Sequence, residues 1–421
     1  MTRIAATYEM ESPVGLARAA EVVAGEQSTG TFTRLASETD ALRARSAARV
    51  EAVSVTEIRD VPSLPCRLTG DRYERGRVTI SWPYETVGPS LPNLLATVAG
   101  NLFELAECSA IRLLSLDLPD AVIAAQPGPA FGIAGTRRLA GAPDGPLIGT
   151  IVKPSVGLDP DETAALAGTL ARAGIDFVKD DELQADGPAC PFDARARAVM
   201  AALHGAAEAT GRLAMYAFNL TGEVDEMRAR LDLLGQLGAT CAMVSLNSVG
   251  LAGLRALRDH SALPIHGHRN GWGLLSRSPD IGIAFPAMQA LWRLAGADHL
   301  HVNGLSNKFS EPDATVIEAA RSVQAPLGPS SGPGDPALPV FSSAQTAWQV
   351  GPTMTALGND DFLLCAGGGI MAHPGGPAAG IASLREAAEA QRLGRSPEDH
   401  ARHRPALAAA LDAFRGAVSR S

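Results

Sequence analysis

The chain of 421 residues carries 36 Lys and Arg against 45 Asp and Glu, a formal charge of −9 at pH 7, with 46% hydrophobic and 19% charged residues. That balance is globular rather than disordered or fibrous and, with no clustered excess of Lys and Arg, argues against a nucleic-acid surface. Five scattered cysteines without a C-x-x-C spacing, no apolar leader in MTRIAATYEMESP and no run of about 18 apolar residues predict a cytoplasmic, non-membrane protein with neither a disulfide framework nor a zinc knuckle.

So long a chain predicts two domains. In residues 1–125, strands RIAATYEM, ARVEAVSV and GRVTISWPY interleave with helices LARAAEVVAGEQ and LPNLLATVAGNLFEL, which predicts a small α+β, ferredoxin-like domain. The Pro/Gly-rich QPGPAFGIAGTRRLAGAPDGP reads as the connection. From PLIGTIVKP onward, short apolar runs alternate eight times with amphipathic stretches, so residues 126–421 are expected to form a closed parallel (β/α)8 TIM barrel with C-terminal helices. In the first unit, Asp159 and Asp161 suit a helix start and Gly174 a stop. APLGPSSGPGDPALP, before the seventh strand, reads as a flexible surface loop. The fold class is α/β.

In such barrels the chemistry sits where strands end, and the polar clusters fall there: Lys153, Lys179 to Glu182, Asn219, Asn247, His266, His268, Arg269, His301, Asn303, Ser342, Ser343 and Gly367 to Gly369. GIDFVKDDELQ raises the sharpest question. Lys179 and Asp181 share a face by strand alternation, with Glu182 approaching from the turn. These oxygens suit a hard cation such as Mg2+, and a neutral Lys179 amine can add CO2 to become a third carboxylate; a solvated acidic loop is the competing reading. Gly367, Gly368 and Gly369 in CAGGGIMAHPGG offer unobstructed backbone N–H groups for a phosphate, or simply a tight turn. His268, Arg269 and His301 offer a second anion site, and Lys308 a mobile cationic lid or a solvated surface lysine.

The ordered set EQSTGT, VAGNLFE, GTIVKPSVGL, GIDFVKDDE, HGHR, GADHLHVNG and CAGGGIMAHPGG resembles the large subunit of ribulose-bisphosphate carboxylase/oxygenase and its relatives, from about residue 5 to 400. The resemblance implies Mg2+ held by carbamylated Lys179, Asp181 and Glu182. It implies catalytic roles for Lys153, Lys179, His268 and Lys308, and substrate and phosphate anchors at Arg269, His301, Ser342 and Gly367 to Gly369. It also implies a homodimer in which Glu26, Thr31 and Asn101 complete the partner's site, with no small subunit. The departures are specific: Ser155 stands where the carboxylase has a second lysine, Ser342-Ser343-Ala344 where it has Ser-Gly-Gly, Trp272 for a histidine and Phe32 for a tryptophan, so that a pocket facing Trp272 and Phe32 is differently shaped. Loss of the second lysine argues against carbon fixation, and the chain looks like a RuBisCO-like protein.

What remains supports enediolate chemistry on a phosphorylated sugar or sugar acid: metal Lewis acidity, proton supply from Lys153 and a glycine-held phosphate. Decarboxylation or C–C hydrolysis of a 3-oxo sugar acid phosphate is the expected reaction, because losing CO2 reaches the enediolate without a full proton-abstracting apparatus. The lid HVNGLSNKF resembles the branch of RuBisCO-like proteins whose substrate is 3-oxo-isoapionate 4-phosphate. An isomerase or enolase of 5-methylthioribulose 1-phosphate or diketo-methylthiopentyl phosphate is the alternative enzyme, and a non-catalytic sugar-phosphate sensor the alternative of another class.

Overall fold

The computed structural model describes residues 2–30 and 35–418, so Thr31 and Phe32 lie outside the described residues. Two compact units result: 1–126 with 271–294 and 327–331, and 127–270 with 295–326 and 332–421. The segment 271–294, expected within the barrel half, thus belongs with the N-terminal sheet. The reason is pairing: Ile281–Ile283 joins Ala110–Asp117 as a parallel edge strand, and Asp280 takes the Arg75 guanidinium at 2.6 Å.

In the N-terminal unit the sheet runs Ile281–Ile283, Ala110–Asp117, Arg3–Ser12, Tyr73–Pro83, Arg49–Arg59. Arg3–Ser12 alternates as a half-buried strand should, with Ile4, Ala6, Tyr8 and Met10 inward. The helix Leu16–Glu26 buries Leu16, Ala19, Ala20 and Val23, spaced i, i+3, i+4, i+7.

The second unit is a closed barrel of eight parallel strands: Leu147–Ile151, Phe177–Lys179, Met215–Asn219, Cys241–Ser245, Ile265–His268, His299–His301, Leu338–Phe341 and Leu363–Cys365. Leu147, Phe177, Met215, Cys241, Leu338 and Leu363 fill its interior. The first helix, Pro160–Arg172, opens on a capping box in which Asp159 accepts from the Glu162 N–H at 2.8 Å, and Gly174 follows it at φ 80°.

Two sequence expectations change here. The connecting segment contains a helix, Gly132–Ala140, which floors the barrel: Phe131 and Gly132 N–H groups donate to the buried Asp298 at 2.6 and 3.1 Å, and Ala140 joins the barrel core. Nor is the Gly/Pro-rich segment before the seventh strand a free surface loop throughout. Gly334 donates to the Pro129 carbonyl at 3.0 Å, and a Cβ there would lie 2.5 Å from the Phe131 nitrogen. Its glycines allow two backbones to touch.

Candidate active site

The acidic run at the end of the second barrel strand divides by function. Asp180 points into the wall, fully buried, where it accepts from the Tyr216 hydroxyl at 2.6 Å and the Asn219 N–H at 2.8 Å and pairs with the buried Arg195 at 3.2 Å. Strand alternation turns its neighbours the other way. Lys179 is 1% exposed; its Nζ donates to the Asp180 carbonyl at 2.9 Å and lies 3.4 Å from Glu182 Oε2. Asn219 Nδ2 ties down the turn by donating to the Asp181 and Glu182 carbonyls at 3.3 and 3.2 Å.

Lys153, just beyond the first barrel strand, reaches across to the same cluster. Its Nζ donates to Asp181 Oδ2 at 2.7 Å and to Ser155 Oγ at 2.8 Å. Ser155, the residue that departs from the carboxylase pattern, therefore holds the lysine that is retained. On the far side His268 Nε2 lies 3.5 Å from Glu182 Oε2, and its Nδ1 lies 3.2 Å from both the N–H and the side-chain oxygen of Asn270. Burial pushes His268 down to about 4, so it is neutral at pH 7. Burial raises Glu182, but His268 and Lys179 outweigh it and the carboxyl is held well below its usual range.

Asp181 is thus paired with Lys153, and its neighbour Glu182 with Lys179. This arrangement fits a hard cation on one condition. Among the described residues no three Asp, Glu, His or Cys side chains form a metal cluster, so further donors have to join the two carboxylates, and a carbamate on Lys179 would be one. Conversion of its ammonium to a carbamate replaces a competing positive charge with a ligand oxygen.

A chain of neutral imidazoles runs from this mouth to the barrel floor. Thr136 gives its one hydroxyl hydrogen to the Gly132 carbonyl at 2.5 Å, so it accepts from His299 Nε2 at 2.7 Å. His299 Nδ1 then accepts from His266 Nδ1 at 3.3 Å, His266 Nε2 from His301 Nε2 at 2.7 Å, and His301 Nδ1 from Ser342 Oγ at 3.1 Å. Burial pushes His299 down to about 3 and His266 and His301 well below their ordinary value, which keeps all three uncharged. Ser342 consequently offers a ligand lone pairs rather than its proton.

After Ser342 the backbone turns left-handed at two residues that are not glycine, Ser343 at φ 72° and Ala344 at φ 62°. The resemblance expects a glycine pair there, so the backbone shape is present without the residues that adopt it cheaply. The three glycines after the eighth strand open a short helix, Gly367–Met371, and they differ. Gly368 has open space around it and Gly367 faces Ile151 and Lys153, whereas a Cβ on Gly369 would lie 2.5 Å from the Gln345 carbonyl. Gly367 and Gly368 are therefore the open pair, and Gly369 is required for packing.

Arg269 is 6% exposed and pairs with Glu311 at 2.5 Å. Lys308 is exposed, its ammonium 5.2 Å from the ring centre of its neighbour Phe309, and among the described residues nothing joins it to the cluster. Trp272, expected to face a pocket, is 4% exposed and packed in the N-terminal unit against Phe285 and Trp292 at 5.8 and 5.4 Å between ring centres. Within that unit Asn101 Nδ2 donates to Glu26 Oε1 at 3.3 Å, which brings two of the three residues expected to serve a partner together. Sequence reasoning missed Thr136, His299 and Glu311. The alternation His-Leu-His at 299–301 marks His299 as sharing a face with His301, whereas nothing marks the other two.

Ligand-directed side chains gathered at the C-terminal ends of barrel strands define a (β/α)8-barrel enzyme architecture. The chain belongs to the ribulose bisphosphate carboxylase large chain family, whose catalytic-domain model matches residues 132–414 and whose N-terminal-domain model matches residues 2–122. It is 55% identical over 413 residues, 98% of this chain and 99% of the relative, to the 3-oxo-isoapionate-4-phosphate transcarboxylase/hydrolase of Xanthobacter autotrophicus. It is 39% identical over 413 residues, 98% of each chain, to the 3-oxo-isoapionate-4-phosphate decarboxylase of Rhizobium etli. The crystal structure of a rubisco-like protein from Burkholderia fungorum superposes with a TM-score of 0.92 at 43% identity, covering 98% of this chain and 100% of that one.

Proposed function

We propose that this chain is a cytoplasmic, Mg2+-dependent enzyme that cleaves the carboxyl-bearing C–C bond of a phosphorylated 3-oxo sugar acid, 3-oxo-isoapionate 4-phosphate, and does not fix CO2. The observation that carries this reading is the Lys153, Asp181 and Ser155 triangle. One lysine is retained and oriented at the acidic cluster, and a serine occupies the place of the second. The names of the relatives at 55% and 39% identity, one a transcarboxylase/hydrolase and the other a decarboxylase, support the substrate and leave both fates of the carboxyl group in view.

Lys179 as its carbamate, Asp181 and Glu182 would hold Mg2+, which supplies Lewis acidity for the developing enediolate oxygens. The chain's own groups do the rest. Gly367 and Gly368 receive the phosphate on open backbone. In decarboxylation the bond between the carboxyl carbon and its neighbour breaks, CO2 departs, and the electron pair moves onto the oxo oxygen as the enediolate forms. Lys153 lies 2.7 Å from Asp181 and returns a proton to the carbon that lost CO2. No carbon-bound proton has to be removed first, which suits a site with one lysine. His268, with Nε2 3.5 Å from Glu182 Oε2, packs against that carboxylate and helps to position it. A homodimer places Glu26, Thr31 and Asn101 of a second copy at the site, and the pairing of Glu26 with Asn101 supports their acting together.

Substrate labelled with 13C at the carboxyl carbon tests the reading. Label appearing in bicarbonate supports cleavage of the carboxyl-bearing bond by decarboxylation, whereas label retained in a smaller acid would show that the carboxyl group is transferred or that a different C–C bond is hydrolysed. No consumption, alongside turnover of 5-methylthioribulose 1-phosphate, would refute it in favour of the isomerase.

A further inference from the structure

Arg269 stands at the end of the fifth barrel strand, where a buried guanidinium would capture an anion, yet its charge is already answered. Glu311, from the loop after the sixth strand, places Oε2 2.5 Å from Arg269 Nη2, and Asn303 Nδ2 donates to the same oxygen at 2.5 Å. Asn303 is itself held. It sits at φ 67°, its side-chain oxygen accepts from Ser343 Oγ at 3.3 Å and its carbonyl accepts from the Ser342 N–H at 3.2 Å. The carboxylate is thus seated in a built cradle, at 18% exposure, rather than waving in solvent.

The glycine run after the eighth strand differs, since Gly368 has no neighbour within 4 Å of a Cβ position and Gly367 none nearer than 3.7 Å. The fifth and eighth strands are separated by the sixth and seventh. Three strand spacings put them about 14 Å apart along the wall, so no single phosphate spans both places.

We propose that Glu311 is a specificity determinant: it cancels the anion site at Arg269, so that the pocket reads one phosphate, at the glycine run, and gains nothing from a second. This inference rests on reading the chain as a sugar-phosphate enzyme and narrows the ligand to one that carries a single phosphate. A second phosphate would have to displace a carboxylate that already holds both a guanidinium and an amide, or lie against it as a like charge.

Titration calorimetry with ribitol 5-phosphate and ribitol 1,5-bisphosphate, polyols without a carbonyl to react, tests it on the full-length protein. The native chain is expected to bind the two within about 3-fold of each other. Glu311→Gln and Glu311→Ala are each expected to bind the bisphosphate at least about 10-fold more tightly than the monophosphate, with monophosphate affinity unchanged. Adding Arg269→Ala to Glu311→Gln should erase that gain. A native chain that already gains 10-fold from the second phosphate, or variants that gain nothing, would overturn the proposal. The readout is equilibrium binding, so failure to turn over the 3-oxo acid would defeat the substrate assignment and leave this result standing.

Discussion

Replacing Asp180 and Asp181 one at a time by alanine separates structure from chemistry within two adjacent residues. Asp180 and Arg195 are both fully buried and paired at 3.2 Å. Removing one member of a buried ion pair typically costs about 3–5 kcal/mol, because the other charge is left uncompensated. Arg195 keeps the Ala185 and Cys190 carbonyls at 2.7 and 3.0 Å, which argues for the lower end, about 3 kcal/mol. At roughly 2–4 °C per kcal/mol for a domain of this order of size, Asp180→Ala should lower Tm by roughly 6–12 °C. Asp181 is itself buried, at 3%, but Lys153, the charge that its removal leaves behind, is 41% exposed and stays hydrated, so the loss is expected to be small, about 1 kcal/mol. Asp181→Ala should therefore move Tm by no more than about 4 °C and abolish turnover. Thermal unfolding by circular dichroism, run beside an activity assay, reads both. Equal Tm losses, or a greater loss for Asp181→Ala, would refute this division of the acidic run.

Two further outcomes follow from the barrel interior. The folded-state pKa values of His266, His299 and His301 are depressed, His299 to about 3, against about 6.5 unfolded, so the unfolded chain binds more protons between these values. Their contribution is complete above about pH 6.5 and is lost as pH falls towards 3, at about 2 kcal/mol per histidine between pH 7 and 5. Urea unfolding at both pH values should show it, and Thr136→Val should detach His299 from its acceptor and shift the Nε2–H signature in 15N spectra of the imidazoles. Ala344→Gly relieves a left-handed conformation costing an alanine about 1–2 kcal/mol, offset by the extra freedom of an unfolded glycine. A net gain of roughly 0–1 kcal/mol in the urea midpoint is expected, and a loss would contradict the strain.

The eight barrel units were legible because each strand is a short apolar run and each helix a longer amphipathic one, and pairing between neighbouring strands follows from that order. Ile281–Ile283 was not legible: three residues become a strand only through the partner that pairs with them. That Lys179, Asp181 and Glu182 gather at a strand end was legible from the end of the apolar run, and alternation was enough to set Asp180 apart from them. Composition misled at residues 325–339, where glycines that suggest mobility serve close backbone packing. Trp272 misled as well, since a position inferred from a motif offset proved to be core. The cancelling of Arg269 by Glu311 depends on a loop returning to a strand end 42 residues earlier, and no local pattern encodes that.

The central claim is that Lys179, Asp181 and Glu182 assemble the centre on which a 3-oxo acid loses its carboxyl bond. Consumption of 3-oxo-isoapionate 4-phosphate, followed after preincubation with Mg2+ and bicarbonate and compared between the native chain and Lys179→Ala, tests it most directly. The account predicts turnover by the native chain that rises with bicarbonate preincubation and falls at least about 1000-fold in Lys179→Ala, as expected when a whole metal centre is lost. Equal turnover by the two proteins would contradict the assignment of Lys179, and no turnover by the native chain, with a relative active on the same substrate, would contradict the reaction itself.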